Sequence, residues 1–173
     1  VTNSGSGNQG MTVCLPVLAY AQELGVSEEK AYRALVLSNL IAIYQKKGLG
    51  KLSAYCGAVS AAAASGAAIT YLCGGDFEAI CRTVVNTLAD VSGVVCDGAK
   101  PSCAAKIATA VDAGLLGYEM YLHGGHQFVD GEGIIRKGVE NTIDNVGRLA
   151  ANGQFVDLLP YMEQDGVDPD DFV

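Results

Sequence analysis

From Met11 to Leu24 apolar side chains recur at helical spacing, with Val13, Leu15, Leu18 and Ala21 on the repeating positions, and Gly25 ends the run. Ser27 then stands as an N-cap ahead of Glu28 and Glu29, whose charges suit the positive end of a helix dipole. This second helix is expected to reach about Lys47, with Gly48 as its C′ residue. Ser53 is placed to cap a third helix closed by Gly74-Gly75, and Asp76 to cap a fourth that runs to about Ser92. Residues Gly93–Ser102 read as an irregular connection. Pro101 suits the first position of a fifth helix, extending to about Leu122. A loop over 123–133 leads to a sixth, amphipathic helix from about Ile135 to Ala150, and a short turn is expected over Leu158–Glu163. The acidic stretch Asp165–Val173 reads as solvated or frayed. No run alternates at period two for long enough to demand a strand, and no internal repeat is found.

The pattern predicts an all-α domain of about six helices. The longest apolar run, Gly57 to Cys73, approaches the length of a membrane span but is interrupted by Ser60, Ser65, Gly66 and Thr70. It consists mostly of Ala and Gly, which gain little from lipid. A helix apolar all round suits a protein core equally well, so this one is predicted to be the central helix, with its neighbours packed closely on small side chains. A chain of 173 residues fits one domain and buries enough surface to need no covalent staples. The domain is expected over residues 1–152, with 153–173 as a C-terminal tail.

Charge and cysteine content narrow the function classes. The formal net charge is −8, and the longest basic cluster is Gln45-Lys46-Lys47-Gly48-Leu49-Gly50-Lys51. That is too short for a nucleic-acid face or a polybasic membrane anchor, so neither partner is expected. The six cysteines do not suggest a disulfide scaffold, which belongs to short, secreted, loop-rich chains. The opening Val1-Thr2-Asn3-Ser4-Gly5-Ser6-Gly7 has no basic segment, apolar run or cleavage site, and no initiating Met. It reads as part of a longer protein, with reduced thiols in a cytoplasm.

Gly5-Ser6-Gly7-Asn8-Gln9-Gly10 matches the dinucleotide fingerprint literally. That motif works only between a strand and a helix of a βαβ unit, and no strand precedes it here, so the nucleotide reading is rejected. What survives is a helix start whose free amides attract anions, a substrate carboxylate included. A flexible leader is the other reading of the same residues. Cys56 lies just inside a helix start, and Cys96 and Cys103 bracket Asp97-Gly98-Ala99-Lys100-Pro101-Ser102. A helix N-terminus and a nearby Lys both favour the thiolate that metals require. The spacing matches no standard zinc or ferredoxin pattern, and buried structural cysteines remain the alternative. Cys14, Cys73 and Cys81 sit among apolar neighbours and read as core. His123 and His126 flank Gly124-Gly125 and read as exposed loop histidines, with metal binding or proton transfer as the alternative.

Four stretches together resemble the L-cysteine desulfidase and L-serine dehydratase alpha-chain group. They are Asn3–Gly10, Lys47–Gly57, Cys96–Cys103 and Asp130–Ile135, and the likeness covers about residues 3–150. The Cys96–Cys103 motif is its specific part, and the closer likeness is to the desulfidase-like branch. The resemblance implies an all-helical C-terminal half that binds an oxygen-sensitive [4Fe–4S] cluster through three cysteines, without pyridoxal phosphate. Carried over by motif, the ligands are Cys56, Cys96 and Cys103. It also implies β-elimination from L-cysteine or L-serine, giving pyruvate, ammonia and sulfide or water, with an open iron as Lewis acid. Ser4, Gly5, Ser6, Asn8 and Gln9 would orient the substrate. Lys100 and Ser102 would touch substrate or cluster sulfides. The group further implies an N-terminal domain or subunit that completes the active site, and assembly into a homo-oligomer is compatible with it. Two other classes stay open: a noncatalytic or incomplete subunit, and an iron–sulfur redox sensor.

Overall fold

The computed structural model describes residues 2–50, 53, 55–96, 98–124, 128, 131 and 133–152. Among these, six helices follow one another: α1 Gly7–Glu23, α2 Glu28–Leu49, α3 Gly57–Leu72, α4 Phe77–Asp90, α5 Cys103–Gly124 and α6 Val139–Asn152. Extended backbone pairs only at two isolated bridges, Asn3 with Ser6 and Tyr55 with Val95. The fold is all-α, as the apolar periodicity predicts. Among the described residues no helix is long and apolar enough to cross a membrane.

The centre is α3. Every residue of it is buried except Gly57 and Tyr71, and α1, α2, α4 and α5 all pack on it. α6 lies across α2 and α4. Because α3 offers mainly methyl groups and hydrogens, its neighbours come close enough for backbone to meet backbone. A Cβ added at Gly66 would lie 2.8 Å from the Gly114 carbonyl oxygen, and one at Gly114 would lie 2.8 Å from that of Ala62. The largest fully buried side chains are Ile69 and Leu88, followed by valines, and among the described residues no aromatic ring is fully buried.

Close approach also brings buried polar side chains within reach of neighbouring backbone. Gln45 Nε2 donates to the Ser60 carbonyl at 3.0 Å, Asn86 Nδ2 to that of Gly117 at 3.0 Å, and Ser38 Oγ to that of Val13 at 2.8 Å. Thr70 and Thr83 share a hydroxyl–hydroxyl bond of 2.9 Å between α3 and α4. Each bond removes the cost of burying its polar groups and fixes how one helix sits against the next.

The capping chemistry accounts for several boundaries. Ser27 Oγ accepts from Lys30 N, and Asp76 Oδ1 from Ala79 N at 2.9 Å, as expected. Other boundaries differ from the sequence reading. α1 begins at Gly7 rather than Met11, because Ser6 caps it and Gly7 and Gly10 continue the helix. α2 runs to Leu49 and turns at Gly50 (φ 78°), while Gly48 stays helical and lets α6 approach through Gly147. α3 is capped at Cys56, and Ser53 Oγ instead accepts from Tyr55 N within the preceding connection.

α4 ends at Asp90, ahead of Ser92, and α5 runs two residues past Leu122. Pro101 lies in the turn before α5, which starts at Cys103. α6 starts at Val139, because the chain before it is tied along the helix flank. There Thr142 Oγ1 accepts from Arg136 N, and Asn145 Nδ2 donates to the Ile134 carbonyl. On α1, Val13, Val17 and Ala21 face the core, whereas Leu15 and Leu18 are exposed. The expected turn at 158–163 and the tail from 153 lie outside the described residues.

Gly66→Ala forces a methyl group onto the Gly114 backbone, where nothing flexible can yield. We expect it to destabilise the fold by about 1–3 kcal/mol, read as a lowered urea midpoint with an unchanged slope.

Candidate functional site

The N-terminal end of α1 is fixed from two sides. Asn3 Nδ2 donates to Asn39 Oδ1 of α2 at 2.9 Å, and Asn3 and Ser6 exchange backbone hydrogen bonds across a tight turn. Ser4 and Gly5 take left-handed conformations in that turn (φ 50° and 83°). Ser6 Oγ then accepts from Gln9 N and the Ser6 carbonyl from Gly10 N, which leaves the Gly7 and Asn8 amides to open α1. Gln9 is 6% exposed and lies against Gly57, where any Cβ would overlap its amide group. Its Oε1 is buried and has no hydrogen-bond partner.

A second piece comes from the two irregular connections. The Tyr55–Val95 bridge ties the α2–α3 connection to the α4–α5 connection, and Cys56 N donates to the Val94 carbonyl at 2.6 Å. Gly93 makes room for the Tyr55 ring, whose Cδ2 would stand 2.5 Å from a Cβ there. The bridge therefore brings Cys56 and Cys96 together although they are far apart in sequence. Lys106 Nζ, on α5, donates to the Val95 carbonyl at 2.9 Å and holds the same connection from below. Cys103 opens α5. Its sulfur lies 3.5 Å from the Lys100 amide, which donates to it, and 3.7 Å from the Gly98 carbonyl.

These pieces enclose a cavity of about 190 Å³. Cys56, Cys96 and Cys103 all line it, together with Ser6, Asn8 and Gln9 from the start of α1. The N-terminus of α3 lines it too, through Gly57 and Ala58. Ser4, Gly5, Lys100 and Ser102 do not. The first two form the turn behind the cavity, and the last two occupy the exposed turn between Cys96 and Cys103. All six cysteines are free thiols.

Among the described residues, no three His, Cys, Asp or Glu side chains stand together closely enough to hold a single metal ion. A [4Fe–4S] cluster makes a different demand: its ligands ring a body of four irons, one at each corner, instead of meeting at one atom. Three thiols around one cavity suit that demand, and a cluster held by them would have one corner without a cysteine of this chain.

The model of the serine dehydratase alpha chain family matches residues 1–154. The chain belongs to this family. A UPF0597 protein of Desulfitobacterium hafniense is 61% identical over 153 residues, covering 88% of this chain and 35% of the relative. UPF0597 proteins of Lachnoclostridium phytofermentans and Treponema denticola are 60% and 56% identical over the same length, covering 36% and 35% of those relatives. The chain thus spans about a third of the length of the curated relatives it matches. No solved structure matches it.

The remaining cysteines of this family member stand apart from the cavity. Cys14 and Cys81 are half-buried, as a packing role requires, but Cys73 is exposed at the C-terminal cap of α3, so the expectation that it packs in the core fails. Cys81 lines a larger groove, about 510 Å³, between α2, α4 and α6. Apart from Cys81 and Glu140 that groove presents mainly apolar side chains. Burial, reinforced by the Glu140 carboxylate, raises the Cys81 thiol above its ordinary pKa. His123 is exposed in the last turn of α5, with Nδ1 beside the Glu119 carbonyl and carboxylate. His126, Asp97, Asp130 and Glu132 lie outside the described residues.

Sequence reasoning missed Lys46, which also lines the cavity. The signal was present: on α2 the buried positions Ser38, Ala42, Gln45 and Leu49 form one stripe, and Lys46 falls beside it at helical spacing. Thiol chemistry should follow these environments. In the chain without metal at about pH 8, iodoacetamide is expected to modify exposed Cys96 several-fold faster than Cys81, whose thiolate fraction burial suppresses. Peptide mass spectrometry over a time course checks the order.

Proposed function

We propose that this serine dehydratase-related chain is the cluster-bearing part of an iron–sulfur lyase. The enzyme acts on L-cysteine or L-serine and releases pyruvate, ammonia and sulfide or water. The observation that carries the reading is the meeting of Cys56, Cys96 and Cys103 at one cavity bounded by the N-termini of α1 and α3.

The three thiols would hold a [4Fe–4S] cluster. When bound, such a cluster supplies a Lewis-acidic iron with a position free for substrate. The chain's own residues provide the surroundings. Backbone amides at the two helix starts, with the Ser6 and Asn8 side chains, receive a substrate carboxylate, and the Asn3–Ser6 turn holds that end of α1 in place. The Lys100 backbone amide donates to the Cys103 sulfur and helps to fix its position. The Lys100 and Ser102 side chains are assigned to the rim, where they meet substrate or cluster sulfides.

In the reaction a base removes the α-proton and the Cβ–S or Cβ–O bond breaks with its electron pair leaving on sulfur or oxygen. The resulting aminoacrylate tautomerises to an imine, which water hydrolyses to pyruvate and ammonia. No pyridoxal phosphate takes part in this scheme. The base and the rest of the substrate pocket are assigned to the other two thirds of the family protein, as a further domain or subunit. The need to keep these thiols reduced is the reason for assigning the protein to the cytoplasm.

Anaerobic reconstitution with iron and sulfide tests the reading. A brown protein with about four irons per chain is expected, one that forms pyruvate from L-cysteine or L-serine once the remainder of the family protein is present. Cys56→Ala, Cys96→Ala and Cys103→Ala should each abolish stable iron binding, whereas Cys73→Ala should leave it intact. Iron uptake without turnover would favour a redox sensor, and no uptake would favour a noncatalytic subunit.

A further inference from the structure

α2 carries no charged residue between Arg33 and Lys46. Its buried stripe, Ala34, Ser38, Ala42, Gln45 and Leu49, accounts for one side of the helix only. The opposite side reads Glu29, Arg33, Val36, Leu40, Ile43 and Lys47, in alternating steps of four and three. That spacing keeps side chains on one line along a helix, and it is the spacing that seams two helices together. Val36 is 57% exposed, Leu40 59% and Ile43 43%, so the middle of the line is open apolar surface. A contiguous stripe of this kind marks an interaction surface.

What covers it follows from its ends. Glu29 and Arg33 form an exposed ion pair of 2.8 Å near the start of α2, and Lys47 is exposed in its last turn. The line is symmetric about the level of Ser38. Glu29 stands as far before that level as Lys47 stands after it, and the same holds for Arg33 with Ile43 and for Val36 with Leu40. Laid antiparallel on itself, the helix sets acid against base at both ends and apolar groups together in the middle. A surface that complements itself in this way is what a two-fold axis requires. α1 also exposes Met11, Leu15 and Leu18, but its first turn has no acid and its last no base, so nothing there specifies an occupant.

We propose that this face of α2 pairs with the same face of a second copy, antiparallel about a two-fold axis, making the chain a homodimer. Glu29 meets Lys47 of the second copy, the Arg33 stem covers its Ile43, and Val36 packs on its Leu40. Each pairing occurs twice. The seam ends next to Lys46, which lines the thiol cavity, so the interface adjoins the candidate site. A seam of one helix pair is a small interface, and the dimer is expected to dissociate on dilution.

Sedimentation velocity of the whole chain over a dilution series, metal-free and in reductant, tests the proposal. Val36→Glu and Leu40→Glu should each leave the helical circular dichroism unchanged and the chain monomeric throughout. Glu29→Lys or Lys47→Glu alone should weaken the dimer about 5–30-fold, because two attractive contacts become repulsive, and the two together should restore most of it. Glu28→Lys, in the same turn but off the line, should change nothing. Oxidation reads the register. Arg33→Cys/Ile43→Cys should give a dimer linked between those two positions, which stand about 15 Å apart within one helix and cannot close on themselves. Peptide mapping identifies the link, and neither substitution alone should produce one between identical positions.

A chain that is monomeric at every concentration would overturn the proposal, as would a dimer that survives Leu40→Glu. Links between identical positions would show parallel pairing and overturn it too. So would a monomer in which Leu40→Glu instead abolishes assembly with the remainder of the family protein, which would assign the face to that partner. None of these outcomes depends on iron, so the dimer and the lyase reading stand or fall separately.

Discussion

How near two helices can come is set by the side chains between them, and in this chain that distance governs everything else. α3 has methyl groups and hydrogens where most core helices carry Leu or Phe, so four neighbours approach until backbone meets backbone. At Gly66 and Gly114 the backbones of α3 and α5 meet with no side chain between them. A core built this way gains little from any one side chain and depends on fit. Its polar members make up part of the difference, since Gln45, Asn86 and Ser38 can reach a neighbouring carbonyl only because the helices are close.

The same constraint builds the site. α1 sits near enough to α3 for Gln9 to press on Gly57, and this places the start of α1 beside the start of α3. Two helix N-termini then point toward one cavity, and the irregular connections deliver thiols to its other walls. The two helix ends, Lys46 and three free thiols thus line one small chamber at the edge of the bundle. Helix N-termini as a class attract anions and thiolates attract soft metals, which is the chemistry the proposed function draws on.

Much of the fold could be read from the sequence because the deciding interactions are local. Asp76 and Ser27 announce helix starts through bonds three residues away, and the Ala/Gly run of α3 declares its own burial. The three cysteines and the Ser6–Gln9 segment could be picked out by the family likeness of their motifs. Their convergence could not, because it depends on the Tyr55–Val95 bridge and on the space that Gly93 leaves for a ring, both products of long-range packing. Glycine's poor helix propensity hid the true start of α1, since tertiary contacts hold Gly7 and Gly10 in helix. Lys46 was grouped with its exposed neighbours, as a charge-based reading takes no account of which side of α2 each lysine occupies.

The account stands on three thiols sharing one cavity, and proximity of sulfur atoms can be measured without iron. With Cys14, Cys73 and Cys81 replaced by Ala, a short bis-alkylating reagent that must span two thiols would be applied to the reduced chain. Peptide mapping would then identify the bridged pairs. The account predicts bridges among Cys56, Cys96 and Cys103 in all three combinations. Three singly alkylated cysteines with no bridge between them would contradict it.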